Sequence, residues 1–426
     1  MHMEAIIGKT LVGLGYQDFK FDLDSKQFRH AWVLGKSGTG KSTMLRHIIA
    51  AGIRAGYGIW VLDPHGDLIN DTFNYIPDWR LKDLTYLNPE NPKIPDIGFL
   101  DYPDKAKALR IAMTLYEAHS GPDGWGKRSA SVLRNFTRAV LEHFKHPTVL
   151  HIYLMLTDDE FAQQVLSKCK DFRTKRFYSF WWGMSASKRM EAFSAPLNKI
   201  EELVEDGIVE FIAQDKSMNF RKLMDEQKIV LCRIPKSYLE ERDARMLGAA
   251  IMMKLKSEAT RRKKRRKPVL IIVDEFHNFI EGIDVDTTFG ESRKYGTHYI
   301  VADQTQKQLG ENAAVIAGNV SHIFAFRMNA TDAEDIEKNI GSDRLHYREL
   351  VMMPNFKFRA LTMNDGEPTA SERVDLYEYP PIYGDEVPAR KAIAWASENT
   401  GILKADIHRQ IKKIVSAYRA PVLRKK

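Results

Sequence analysis

The chain has 426 residues, which is too long for one ordinary hydrophobic core and predicts about two or three domains. Hydrophobic residues make up 44% and charged residues 28% of the chain, as in ordinary soluble globular proteins. No stretch reaches the roughly 18 apolar residues that cross a bilayer, and the first residues lack a signal-peptide pattern. Two distant cysteines, Cys169 and Cys232, argue against a disulfide framework or a zinc site. We therefore expect a cytoplasmic protein, free or attached to a membrane through a partner.

Basic residues are in modest excess and unevenly placed. Lys and Arg outnumber Asp and Glu by 64 to 56, which is compatible with a nucleic-acid partner without requiring one. Residues 261–267 are all basic, and so are residues 424–426. The first run separates a predicted helix from a predicted strand, so it is either a solvated connecting loop or a loop that faces DNA.

The first half of the chain predicts a β-loop-α-β unit. The first 30 residues are too few for a separate domain. The apolar run 31–34 predicts a buried strand, and a glycine-rich loop follows it directly. Residues 44–53 carry apolar side chains at helical spacing, and residues 58–63 predict the next strand. This order is typical of a parallel sheet.

The rest of the chain divides into a helical segment, further strands and a tail. Helical periodicity dominates residues 103–222, whereas apolar strand patterns return at 229–232, 269–273, 299–302 and 323–326. A hairpin with its turn at 364–366 follows. We therefore predict an α/β fold with a mostly parallel sheet flanked by helices, built from four segments: a first core half (1–102), an all-helical insertion (103–222), a second core half (223–380) and a helical basic tail (381–426).

The glycine-rich loop has the pattern of a phosphate-binding loop. It follows a strand and opens a helix, so its backbone N–H groups and the helix N-terminus converge on phosphate oxygens. We expect Lys41 to reach the β- and γ-phosphates and Ser42 to hold Mg²⁺. The candidate nucleotide contacts are Gly35, Lys36, Ser37, Gly38, Thr39, Gly40, Lys41, Ser42 and Thr43.

An acidic pair follows the most apolar strand of the chain. Asp274 and Glu275 come directly after five apolar residues, 269–273. In ATPases with this loop, the aspartate holds the Mg²⁺ shell together with Ser42 and water, and the glutamate polarises the attacking water. The alternative is an ordinary exposed acidic pair at a strand end.

Three further polar candidates lie at or just after the ends of two other predicted strands. Asp63 and His65 end the strand after the phosphate loop, so either side chain contacts nucleotide-bound water or a neighbouring subunit, unless the segment is only a turn. Gln304 follows the strand at 299–302 and is expected to sense the γ-phosphate; the alternative is a solvated loop amide.

Two arginines are candidates for action on the γ-phosphate of another subunit. Arg293 lies near the end of a predicted helix, and Arg327 directly follows a predicted strand. An arginine supplied in trans neutralises charge that develops on the γ-phosphate. Taken alone, an arginine at a helix end is more often a partner of the helix dipole.

In combination, these motifs resemble the HerA/FtsK superfamily of ring-shaped, DNA-pumping ATPases, and most of all the cytoplasmic part of conjugative DNA-transfer coupling proteins. The resemblance rests on the segments 35–42, 63–68, 269–279, 291–296 and 302–306, in this order. It implies a RecA-like core, ATP and Mg²⁺ as ligands, a homo-oligomeric hexameric ring, and DNA held by sequence-independent backbone contacts. Coupling proteins usually begin with membrane helices and HerA-type proteins with a small β-barrel, and this sequence shows neither.

The resemblance also implies residue roles and a process. It places Lys41 and Ser42 on phosphate and Mg²⁺, Asp274 and Glu275 in Mg²⁺ binding and water activation, Gln304 as the sensor, and Arg293 or Arg327 in the next subunit's site. The expected function is ATP-driven DNA pumping in conjugation or a related DNA mobilisation, with secretion-system or DNA-processing proteins as partners. The alternatives are an ATPase that energises protein secretion or assembly, and a HerA-like ring in a DNA-processing or defence complex.

Overall fold

The computed structural model describes residues 4–13, 15–23, 28–120, 126–205, 207–262, 267–340, 345–364, 367–371 and 373–417. Within these ranges, no helix combines the length and the apolar character needed to cross a membrane. The chain forms two compact units. We call them the sheet unit (Met1–Asn88, Phe220–Lys236 and Lys254–Asn399) and the helical unit (Pro89–Asn219, Ser237–Met253 and Thr400–Lys426).

The described strands are, in chain order, β1 (Glu4–Val12), β2 (Gly15–Asp22), β3 (Ala31–Leu34), β4 (Gly58–Asp63), β5 (Leu84–Leu87), β6 (Lys93–Ile94), β7 (Ile229–Arg233), β8 (Val269–Val273), β9 (Thr297–Asp303), β10 (His322–Ala325), β11 (Lys357–Asn364), β12 (Glu367–Ala370), β13 (Val374–Leu376) and β14 (Ile402–Leu403).

The described α-helices are α1 (Lys41–Arg54), α2 (Asp67–Thr72), α3 (Lys105–Ser120), α4 (Lys127–His143), α5 (Val149–Thr157), α6 (Asp159–Lys168), α7 (Phe172–Trp182), α8 (Ala186–Glu205), α9 (Val209–Ile212), α10 (Phe220–Asp225), α11 (Glu241–Ala259), α12 (Val285–Ser292), α13 (Asn312–Asn319), α14 (Ala330–Ile340), α15 (Tyr347–Val351), α16 (Ala389–Asn399) and α17 (Lys404–Ala417).

A single large sheet organises the sheet unit. Its order is β2-β1-β13-β11-β10-β3-β9-β8-β4-β7-β5, with β12 paired to β11. The strands from β10 to β5 are mutually parallel, and the remaining pairs are antiparallel. Strands β3, β4 and β8 are buried along their whole length, as their continuous apolar sequences predict for strands covered on both faces. The predicted α/β class with a mostly parallel sheet is therefore confirmed.

The phosphate-loop helix α1 packs its apolar face on this sheet. Met44, Leu45, Ile48, Ile49 and Ile53 are all fully buried in the sheet unit's core, as the helical spacing predicts. The helix ends where Gly56 adopts a positive φ of 75°, a conformation that glycine tolerates best.

The N-terminal residues extend the sheet. Strands β1 and β2 form an antiparallel hairpin, and β1 also pairs with β13. Ala5 and Ile7 of β1 are fully buried in the core that α1 covers. The sequence does not predict these strands, because the apolar side chains of β1 are few and are interrupted by Gly8 and Lys9.

The hairpin that the sequence predicts with its turn at 364–366 is present in the sheet. Strand β11 pairs antiparallel with β12 up to the pair Asn364↔Glu367. Turn residues 365 and 366 lie outside the described residues.

The helical unit contains the predicted helical stretch together with segments from elsewhere in the chain. The described part of residues 103–219 carries α3 to α9 and none of the named strands. His119 of α3 bonds to Asp243 of α11 at 3.0 Å, and both side chains are buried. Lys404 of α17 lies 3.0 Å from Glu210 of α9. The four-segment division of the sequence stays a prediction, since contacts within this unit join segments far apart in the chain.

The described ends of the first basic run are held within the sheet unit. Arg262 is buried, pairs with Asp225 at 3.2 Å and donates to the Gly296 carbonyl at 2.8 Å. Its role is therefore structural rather than that of a solvated charge. Residues 263–266 and 424–426 lie outside the described residues.

Candidate nucleotide-binding and hydrolysis site

The site lies where four adjacent parallel strands end. β3 leads into the glycine-rich loop, and β9, β8 and β4 follow it in the sheet. Their carboxyl ends carry Gln304, the pair Asp274 and Glu275, and Asp63, respectively. Ligands in open α/β sheets bind at this edge. The sheet order thus brings these sequence-predicted residues together.

The loop backbone has the shape that phosphate binding requires. Gly38 and Gly40 adopt positive φ angles of 72° and 115°, which a residue with a side chain adopts only with strain. The Lys36 N–H donates to the Arg327 carbonyl at 2.8 Å, and the Thr39 hydroxyl donates to the Lys36 carbonyl at 2.7 Å. These bonds anchor the loop, while Lys36, Ser37 and Gly38 stay exposed.

Lys41 is buried and turned back onto the loop. Its ammonium donates to the carbonyls of Gly35 at 2.7 Å and Lys36 at 3.1 Å. Burial lowers the pKa of Lys41, and the carboxylates of Asp274, Glu275 and Asp303 partly offset that effect. A phosphate ligand would meet this ammonium inside the loop.

Ser42 and Asp274 face each other across the loop. The Ser42 hydroxyl donates to Asp274 Oδ2 at 3.2 Å. Burial and the nearby charge of Asp63 raise the pKa of Asp274 to about 6, despite the opposing effect of Lys41. A buried carboxylate whose charge is this poorly compensated favours a cation, and a hydroxyl with a carboxylate is an oxygen donor set that suits Mg²⁺.

Glu275 accepts hydrogen bonds from three directions. Gln304 Nε2 donates to its Oε1 at 2.8 Å, Asn278 Nδ2 donates to its Oε2 at 3.1 Å, and His65 Nε2 lies 3.0 Å from Oε2. Burial acts to raise the pKa of Glu275, but His65 and the other donors outweigh it, so the pKa is lowered. The carboxylate is therefore held ionised, as a general base requires.

The backbone at Glu275 is unusual. Its φ of 49° and ψ of 55° place it in the left-handed region, which residues other than glycine and asparagine rarely adopt. Strained backbone of this kind clusters at functional sites, where the surrounding structure holds it in place.

Asp63 and His65 have different tasks. Asp63 is buried, and its carboxylate accepts the N–H groups of His65 at 2.8 Å and Ile69 at 3.2 Å. It thereby shapes the turn into α2 and adds negative charge near Asp274. His65 is more than half exposed and contacts Glu275 directly. The sequence placed both residues at this edge without distinguishing these tasks.

Two residues of the site, Asp303 and Asn278, are not among the candidates predicted from the sequence. Asp303, fully buried, accepts from the Trp32 indole at 3.3 Å and from the His277 N–H at 3.0 Å. Asn278 bridges Glu275 to Lys236, whose ammonium donates to Asn278 Oδ1 at 2.7 Å. Their signal in the sequence is a polar residue directly at, or shortly after, the end of a buried strand.

The two candidate arginines, Arg327 and Arg293, lie at the ends of different elements. Arg327 follows β10, next to β3, and its side chain is partly buried. Its guanidinium forms no hydrogen bond or ion pair with the residues that the structure describes. The backbone of Arg293 begins a 3₁₀ turn directly after α12.

This fold and this site define a P-loop ATPase of the HerA/FtsK type. The model of the type IV secretion-system coupling protein DNA-binding domain matches residues 23–352. The chain therefore belongs to the family of type IV secretion-system coupling proteins. No curated protein matches the chain.

Solved structures agree on the fold. The bacterial conjugative coupling protein TrwBdeltaN70 has a TM-score of 0.64 at 16% identity, over 87% of this chain and 88% of that chain. TrwB in complex with ADP and Mg²⁺ has a TM-score of 0.62 at 15% identity, over 85% and 87% of the two chains. VirB4 of Thermoanaerobacter pseudethanolicus has a TM-score of 0.58 at 13% identity, over 82% and 89%. These similarities confirm the predicted RecA-like core.

Proposed function

We propose that the chain hydrolyses ATP with Mg²⁺ and uses the energy to pump DNA in conjugative transfer or a related DNA mobilisation. The observation that carries this proposal is the Glu275 carboxylate, held ionised by three donors beside the Ser42–Asp274 pair. Membership of the coupling-protein family supports DNA as the partner.

The loop residues bind and orient the triphosphate. Lys41 exchanges its hydrogen bonds to the carbonyls of Gly35 and Lys36 for hydrogen bonds to phosphate oxygens. These are stronger because the acceptor is negatively charged. Ser42 and Asp274 hold Mg²⁺, which neutralises charge on the phosphates. The N–H groups that follow Gly38 and Gly40 complete the phosphate site.

Glu275 takes the proton from the attacking water, and Gln304 monitors the site. Since the Gln304 amide donates to the carboxylate that serves as base, a shift of Gln304 toward the γ-phosphate changes the position of that base. His65 supports the same carboxylate from the neighbouring strand end. Sensing and hydrolysis thus share one hydrogen-bond network.

A homo-oligomeric, hexameric ring completes each site. Arg327 is a candidate for reaching the next subunit's nucleotide, because its guanidinium is not engaged by the described residues and its backbone touches the phosphate loop. Arg293 stays the second candidate. Either arginine would stabilise negative charge on the γ-phosphate in trans.

Turnover measured with and without DNA tests the proposal. ATP hydrolysis should rise on addition of DNA, to a similar degree for unrelated sequences, and the stimulation should fall with salt because backbone contacts dominate. Single- and double-stranded DNA are compared, and Lys41→Ala serves as the blank. ATP hydrolysis at a rate that DNA does not change would instead favour an ATPase that energises protein secretion or assembly. Absence of ATP hydrolysis would refute both of these functions.

A further inference from the structure

Phe356 has an unusual backbone conformation beside the phosphate loop. It directly precedes β11, and its φ of 59° places a bulky aromatic residue in the left-handed region. Such a conformation is unfavourable for a side chain of this size and persists only when its surroundings enforce it. Here the Phe356 N–H donates to the Thr39 carbonyl at 2.8 Å, and the Phe356 carbonyl accepts from the Leu376 N–H at 2.9 Å. The loop and β13 thus hold this residue in place.

The ring of Phe356 lies against the phosphate loop and faces solvent. Phe356 as a residue is 48% exposed, whereas Phe358, two residues later, is fully buried. A Cβ atom on Gly40 would lie 3.2 Å from Phe356 Cδ1 and 3.0 Å from Leu376 Cδ2. The absence of a side chain at Gly40 therefore allows both apolar groups to touch the loop.

We propose that Phe356, with Leu376 beside it, is the surface on which the base of the bound nucleotide packs; this inference rests on the proposed nucleotide site. Only a ribose separates the base of a nucleotide from its α-phosphate. An apolar surface that touches the loop at Gly40 is therefore within reach of a base whose phosphates occupy that loop. An aromatic ring stacks on any nucleobase, since every base presents a π face.

The position of the ring distinguishes it from other exposed aromatic groups. Tyr383 of the same unit is 64% exposed, but its ring lies 4.2 Å from the Arg54 guanidinium, at the last turn of α1, away from the phosphate loop. Phe356 instead contacts the loop itself. Because a phenyl ring carries no hydrogen-bonding group, it provides affinity for a base without selecting among bases.

Removal of the ring can be separated from disturbance of the loop. Glycine adopts a φ of 59° without strain, so Phe356→Gly removes the ring without straining the backbone that contacts the loop, and its melting temperature is measured to show that the fold is kept. Affinities for Mg²⁺-ATP, Mg²⁺-GTP and Mg²⁺-tripolyphosphate are then measured by calorimetry. We expect ATP and GTP affinity to fall about 5- to 100-fold, the effect of removing an aromatic ring from beneath a stacked base. Tripolyphosphate has no base, so its affinity should stay unchanged.

Two further variants complete the test. Phe356→Trp should retain ATP affinity, because it keeps an aromatic face, and Tyr383→Ala should leave every affinity unchanged. Unaltered ATP affinity in Phe356→Gly would overturn the inference, and an equal loss for tripolyphosphate would show that the ring only supports the loop. If the wild-type protein binds neither ATP nor tripolyphosphate, the proposed nucleotide site fails, and this inference fails with it.

Discussion

Replacement of Asp274 by asparagine should stabilise the ligand-free protein while impairing its Mg²⁺ site. The carboxylate is buried and repelled by Asp63, which is why its pKa is raised to about 6. An amide has the same shape and carries no charge. Its oxygen can still accept from the Glu275 N–H, as Asp274 Oδ1 does at 3.0 Å, and its NH₂ group can donate to the Ser42 hydroxyl. The substitution therefore removes a charge without leaving a cavity.

The magnitude and its pH dependence follow from the raised pKa of Asp274. The shift from 3.8 to about 6 is about two pKa units, or about 3 kcal/mol. The folded-state pKa lies above the unfolded value of 3.8. The charge of Asp274 therefore destabilises the folded wild type little below pH 3.8, increasingly between pH 3.8 and about 6, and fully above that range. Asp274→Asn should thus exceed the wild type in unfolding free energy by about 3 kcal/mol at pH 8 and by about half of that at pH 5.

Urea unfolding at both pH values, without nucleotide or metal, measures this difference. Asp67→Asn is the matched control, since it removes one exposed carboxylate of the same unit and should change stability by less than about 1 kcal/mol. ADP with Mg²⁺ should then stabilise the wild type more than Asp274→Asn. Equal stability of Asp274→Asn and the wild type at pH 8 would refute the argument from the buried charge.

Three predictions concern turnover. Lys41→Ala removes the ammonium that meets the phosphates and should abolish ATP hydrolysis; retained turnover would contradict its role. Glu275→Gln should keep ATP binding but lower kcat about 10²- to 10⁴-fold, because an amide is a very poor base; full turnover would point to His65 or Asp67. If Arg293 or Arg327 acts in trans, the hydrolysis rate per chain should rise with protein concentration until rings form, and a constant rate from a monodisperse monomer would exclude this.

The phosphate loop and the Asp-Glu strand could be predicted from the sequence because their signals are local. Each motif joins a buried apolar strand to a fixed set of polar residues, so neither needed knowledge of the rest of the fold. The N-terminal hairpin was different. Strand β1 is held by β2 and by β13, more than 350 residues away along the chain, and only the folded sheet supplies that pairing.

Phe356 shows a second limit of sequence reasoning. Its sequence neighbourhood predicts an ordinary strand, and β11 is indeed one. The positive φ arises from bonds to Thr39 and Leu376, both distant in the sequence, and a residue type that rarely adopts such a conformation gives no local signal for it. Enforced conformations of this kind become visible only in the folded structure.

The network around Glu275 explains why the individual residues could be named but their coupling could not. His65, Asn278 and Gln304 follow three different strands and lie 210, 3 and 29 positions from Glu275, yet all three meet on its two carboxylate oxygens. A carboxylate that is shared in this way cannot move without breaking bonds to its partners. Since Asn278 is in turn held by Lys236, which follows β7, Glu275 is tied to the ends of β4, β7, β8 and β9. Any motion that shifts these strand ends relative to one another therefore repositions Glu275, and in the ring proposed above this would couple subunit movement to hydrolysis.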